Sequence, residues 1–129
     1  MIAQNVTDSI KGLRLFVVED EAILAMLLED MLTELGCTVV GVAGNVHDAL
    51  DRLTRTVADG AVLDVNIGGE MVFPVADALA ERGVPFMFAT GYGPPGLDER
   101  YPRTAVLTKP YLLEQLADGL AAFRGARAN

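Results

Sequence analysis

Leu13-Arg14-Leu15-Phe16-Val17-Val18-Glu19-Asp20 decides the reading of this chain. A near-continuous apolar run broken only by Arg14 fits a strand covered on both faces, as in a parallel sheet, and it stops at two acids. The same pattern recurs downstream. Residues 38–42 are short and β-branched, residues 61–64 end at Asp64, residues 85–89 lead into Thr90, and residues 104–107 lead into Lys109-Pro110.

Helical periodicity fills the gaps between these runs. In residues 21–35, Leu24, Leu27, Leu28, Met31 and Leu35 recur at helical spacing, and Gly36 stands where a C-terminal cap is expected. Asn45 is placed to cap a helix whose buried stripe is Val46, Ala49, Leu50 and Leu53. A third helix is predicted over residues 72–82, because Pro74 is tolerated only in a first turn. Residues 66–70 read as a glycine-containing loop. Leu112, Leu113, Leu116, Leu120 and Phe123 mark the last helix. Five strands alternating with helices predict a doubly wound α/β fold with a five-stranded parallel sheet. One segment breaks the alternation: residues 91–102 hold three prolines and three glycines, so a loop or one short turn is expected in place of a helix.

The 129 residues suit one domain, read as a flexible arm (1–12), a folded body (13–124) and a short tail (125–129). An apolar fraction of 51% against 22% charged residues supports a real core. The net charge of -8 opposes non-specific attraction to nucleic acid, which rests on phosphate neutralisation. Cys37 is the single cysteine and reads as a small hydrophobe, consistent with a reducing cytoplasm. No apolar run approaches the length of a membrane span, and residues 1–12 lack the apolar core of a signal peptide.

In an open parallel sheet the strand ends share one edge, and ligands bind in the crevice outside it. Glu19, Asp20, Asp64, Thr90 and Lys109 then meet there. Taken singly, each has an ordinary explanation as a helix cap, a turn former or a solvated cation. Together, three crowded carboxylates raise one another's pKa unless a cation neutralises them, and magnesium accepts such an oxygen set. Thr90 and Lys109 would then contact a bound phosphoryl group. The residues alone are compatible with several metal or phosphate sites.

The segments Phe16-Val17-Val18-Glu19-Asp20-Glu21, Val62-Leu63-Asp64-Val65-Asn66, Phe88-Ala89-Thr90-Gly91-Tyr92 and Thr108-Lys109-Pro110 stand in the order found in receiver domains. The chain resembles the receiver domain of two-component response regulators from about Leu13 to Phe123. That resemblance implies a flavodoxin-like strand order 2-1-3-4-5. It makes Asp64 the phosphoacceptor, served by a sensor histidine kinase or phosphotransfer protein. Asp20, Asp64 and the backbone carbonyl of Asn66 become ligands of Mg2+, or of Mn2+, with Glu19 acting through water. Thr90 and Lys109 contact the phosphoryl, and the Lys109-Pro110 bond is cis. The implied function is a stand-alone cytoplasmic regulator, a phosphate shuttle or switch that catalyses its own phosphotransfer and dephosphorylation but is not otherwise an enzyme. It signals through a downstream protein, without DNA contact or membrane insertion.

Phe88-Ala89-Thr90-Gly91-Tyr92 also resembles the motif of the subgroup called FATGUY, in which the fourth helix is reduced. Many receivers carry an aromatic three positions before the lysine, where this chain has Val106; Tyr92 and Tyr101 are candidates to replace it or to tune dephosphorylation. Two other functions compete. A haloacid-dehalogenase-type phosphatase shares the aspartyl nucleophile, but its Asp-x-Asp pattern is not met by Asp64-Val65-Asn66. An interaction module with the same fold and no phosphorylation is the other.

Overall fold

The computed structural model describes residues 2–91 and 97–128. Its main sheet comprises β1 (Arg14–Val18), β2 (Thr38–Ala43), β3 (Gly60–Leu63), β6 (Phe86–Thr90) and β7 (Val106–Thr108). All pairings are parallel, in the order β2-β1-β3-β6-β7. Counting only these five strands, that is the expected 2-1-3-4-5.

Alternation along β1 divides the core into two layers, because successive strand side chains point to opposite faces. Leu15 and Val17 pack with α2 (Ala22–Glu34) and α6 (Leu113–Ala128). Phe16 and Val18 face α3 (Val46–Leu53) and α4 (Phe73–Glu81). Burial on both faces of the inner strands β1, β3 and β6 explains their near-continuous apolar sequences. The register of β1 on β2 slips between Leu15 and Phe16, which bends the edge strand.

Local signals act as the sequence suggests at several ends. Asn45 caps α3 by accepting the Asp48 amide at 2.7 Å. The helix α2 closes with Gly36 N–H donating to Thr33 O and Cys37 N–H to Leu32 O, the paired bonds of a Schellman motif. Pro74 lies in the first turn of α4. The α2 stripe is partly different from the prediction: Ala25, Leu28, Leu32 and Leu35 are buried, whereas Ile23, Met26 and Leu27 are exposed. This helix carries apolar residues around most of its circumference, so periodicity underdetermines its inner face.

Two expectations are corrected. Part of the stretch read as a flexible arm is a helix, α1 (Gln4–Ile10), with Ile10 fully buried beside Leu32 and Leu35 of the α2 layer. The guanidinium of Arg124 on α6 donates to Ser9 O and Lys11 O at 2.6 and 2.9 Å, satisfying carbonyls at the end of α1. The loop after Asp64 is a two-stranded antiparallel hairpin, β4 (Asn66–Ile67) and β5 (Glu70–Met71). Gly68 and Gly69 form its turn with φ of 60° and 90°, the positive pair that a two-residue hairpin of primed type requires.

Of the Pro/Gly-rich segment, the described part forms α5 (Leu97–Arg100), four residues long. Among the described residues, the fourth helix of the βα alternation is about one turn long. Among the described residues no helix is long and apolar enough to cross a membrane.

Candidate functional site

The carboxyl ends of β1, β3, β6 and β7 deliver the polar residues to one edge. Ladder-like bonds continue past the strands and fix these ends: Glu19 N–H donates to Ala43 O, Asp64 N–H to Val18 O, and Lys109 N–H to Thr90 O, at 3.0, 2.9 and 2.8 Å. A cleft of about 380 Å³ opens there, lined by Asp20, Asp64, Asn66, Thr90 and Lys109 together with Glu21, Leu24 and Gly91. Thr90 is buried at the end of β6, and the Lys109-Pro110 bond is cis.

Carboxylate oxygens of Glu19, Asp20 and Asp64 all lie within 4.8 Å of one another. The Lys109 ammonium is the counter-charge: Nζ donates to Glu19 Oε1 at 2.7 Å and to Asp64 Oδ2 at 3.0 Å. Glu19 Oε2 also accepts the Glu21 amide at 3.2 Å. Burial pushes the Glu19 carboxyl above its ordinary range, and the hydrogen bonds from Lys109 and Glu21 offset that only in part. For Lys109 the balance is reversed. Burial acts to lower its pKa, but the combined bonds and charges of Glu19 and Asp64 outweigh it and leave the ammonium raised. The lysine is held charged beside Asp64.

The hairpin is tied to the same edge. Gly68 N–H donates to Asp20 Oδ2 at 2.9 Å, and Gly69 N–H donates to Asn66 Oδ1 at 3.0 Å. Asp20 therefore orders the strand pair that follows Asp64. Sequence reasoning missed this bond, although the Gly68-Gly69 pair was its visible signal.

A second, mainly apolar cleft of about 380 Å³ adjoins the first, lined by Leu24, Leu27, Met31 and Tyr111 with Glu19, Asp64 and Lys109 at its polar end. Tyr111, two residues after Lys109, was not singled out from sequence; burial raises its phenol pKa. Tyr101, which lines neither cleft, packs among Phe73, Phe86 and Phe88. Tyr92 falls outside the described residues.

The donor set is all oxygen, which suits a hard divalent cation such as Mg2+ and not a thiophilic metal. Glu19, Asp20 and Asp64 could hold such an ion, and the exposed Asp20 is the most accessible of the three.

No protein-family model matches the chain. It is 29% identical over 107 residues to the transcriptional regulatory protein PdtaR of Mycobacterium tuberculosis, a match covering 80% of the chain and 52% of that protein. The chain thus spans about half the length of the curated relatives it matches. The solution structure of SdrG from Sphingomonas melonis Fr1 is similar at a TM-score of 0.76 with 43% identity, covering 89% of this chain and 97% of that one. A BeF3-activated conformation of SdrG superposes with a TM-score of 0.74, at 43% identity, over 88% of this chain and 98% of that one. A response regulator receiver protein from Sinorhizobium medicae WSM419 gives a TM-score of 0.79 at 25% identity, covering 90% and 97%. Fold, strand order and these relatives agree, and the chain belongs to the receiver domains of two-component response regulators.

Proposed function

We propose that Asp64 accepts a phosphoryl group from a phosphohistidine on a sensor kinase or phosphotransfer protein, and that the acyl phosphate changes how this domain binds a downstream protein. The observation that carries the reading is Lys109 Nζ at 3.0 Å from Asp64 Oδ2, inside a cluster of three carboxylates. A carboxylate oxygen of Asp64 attacks phosphorus, the P–N bond breaks, and the histidine imidazole leaves and takes up a proton. Phosphoryl transfer asks the protein mainly for position and charge neutralisation.

Each residue has a part that its chemistry suits. Lys109 offsets the negative charge of the phosphoryl oxygens, and Thr90 supplies a hydroxyl at the same edge. Asp20 and Asp64, with the Asn66 carbonyl, would hold Mg2+; Glu19 supports the site through Lys109. When bound, the cation screens the acceptor carboxylate and the incoming phosphate from each other. SdrG, 43% identical, has been captured in a BeF3-activated conformation, which supports a site able to bind a phosphoryl-like group.

The test is intact-protein mass spectrometry after incubation with acetyl phosphate and Mg2+. One labile phosphoryl, released by hydroxylamine as an acyl phosphate is, is expected on the wild type and none on Asp64→Asn. Magnesium-dependent labelling that survives in Asp64→Asn would overturn the assignment, and an unlabelled wild type would leave the fold as an interaction module.

A further inference from the structure

The hairpin that follows Asp64 is anchored in the core at its base. Val72 N–H donates to Val65 O at 2.8 Å, and Val65, Ile67 and Val72 are buried in the α3/α4 layer. Asn66 pairs with Met71 and Ile67 with Glu70, so the chain must reverse through Gly68 and Gly69, whose φ values are 60° and 90°. A Cβ added at either glycine meets nothing within 4 Å. Space is therefore not what the two glycines provide. Backbone conformation is, and the common Asn-Gly pair of primed turns shows that the second position is the stricter.

The turn presents two amide donors to the acidic edge. Gly68 N–H takes Asp20 Oδ2, and Gly69 N–H takes the side-chain oxygen of Asn66. Asp20 is exposed, and an exposed carboxylate without such a bond samples several rotamers. Here it is fixed by a backbone amide 48 residues away, with a carboxylate oxygen inside the 4.8 Å cluster shared with Glu19 and Asp64. The bond to Gly68 engages one oxygen, and a cation held by a single carboxylate oxygen needs only the other.

We infer that the Gly68-Gly69 turn is a positioning element for the cation site: it holds the Asp20 carboxylate in the orientation a divalent cation requires, so that turn closure and cation binding are coupled. The inference rests on the reading of this edge as a Mg2+ site, to which the two glycines themselves supply no ligand. Such coupling is reciprocal. The cation favours the closed turn, and any opening of the turn lowers apparent affinity in proportion to the closed fraction that remains.

The test uses the full chain and Mg2+ alone, with calorimetry for affinity and amide exchange by NMR for the turn. In the wild type, Mg2+ at ten times its dissociation constant should slow exchange at Gly68 at least about threefold, below the roughly elevenfold ceiling reached when the open form binds no cation. Gly69→Ala removes no donor and no charge and strains only the turn. Its Mg2+ affinity should fall roughly fivefold, and its cation-free exchange at Gly68 should rise by a similar factor, the low end of the cost of an L side chain in the left-handed region. Gly68→Asn places asparagine before Gly69, the order primed turns favour, and should stay within about twofold of the wild type in both measurements. Unchanged affinity in Gly69→Ala, an equal loss in Gly68→Asn, or wild-type exchange at Gly68 that ignores Mg2+ would overturn the inference and leave the cation site standing. If the wild type binds no Mg2+, the cation reading itself fails and the inference falls with it.

Discussion

Lys109 and Glu19 are joined by a 2.7 Å hydrogen bond in which the carboxylate is only 6% exposed. Such a pair contributes little net stability when intact, but removing one partner strands the other. Lys109→Ala should therefore cost about 1–3 kcal/mol at pH 7. The cost should shrink as the pH falls towards the carboxylate range. Glu19 already has a raised pKa, and loss of the lysine raises it further. An acid raised in the folded state favours folding below its unfolded pKa and loses that contribution as the pH rises through the folded value. Urea unfolding at pH 5 and pH 7 measures this, and a deficit independent of pH would exclude the mechanism.

Asp20→Asn removes a ligand charge but retains an oxygen able to accept the Gly68 amide. Magnesium affinity, followed by calorimetry, should fall at least tenfold, on the scale of losses seen when metal-site residues are replaced. Amide exchange at Gly68 should stay close to wild type. Rapid exchange there would show that the hairpin needs the carboxylate itself.

Ile10 tests whether α1 is part of the folded body. Its side chain is fully buried, and Ile10→Ala should destabilise the chain by about 2–4 kcal/mol in chemical denaturation. A change within a few tenths of that unit would return residues 4–10 to the status of an arm.

Cys37 is buried, and its thiol is pushed up from an ordinary 9.0 to about 11. Between those values the unfolded chain releases a proton that the folded chain keeps, so stability falls as pH rises. The full difference is roughly 2–3 kcal/mol. Cys37→Ala lacks this component, and the gap between the two stability profiles should close by that amount from pH 9 to 11.

Gly60 lies against the ring of Phe123, where an added Cβ would overlap carbon atoms of a buried side chain. Gly60→Ala should cost about 1–3 kcal/mol by overpacking. Phe123→Leu in the same background should recover part of the loss in the unfolding midpoint.

The sheet was legible because both-face burial writes each strand as an apolar run and the crossovers leave each polar end on one edge. That placed Glu19, Asp20, Asp64, Thr90 and Lys109 together before any coordinates. Asn45 and Gly36 announced helix ends by local chemistry. What escaped was settled by tertiary contact. The helix Gln4–Ile10 has only seven residues, too few to persist without Ile10 in the core and Arg124 on its last carbonyls. The hairpin turn was visible in Gly68-Gly69, but its strands of two residues carry no periodicity. Tyr101 read as an amphipathic ring near a loop; its partners Phe73, Asp77, Phe86 and Phe88 come from α4 and β6 and are remote in sequence.

The bonds from Arg124 to Ser9 and Lys11 fasten the first helix at the end of the sheet where the strands begin. The carboxylates stand where the strands finish, roughly 16 Å away for a five-residue strand. A fluorophore or surface tether attached through that helix would leave the acidic edge unobstructed, giving a point of attachment from which encounters with a phosphodonor can be watched without blocking its approach.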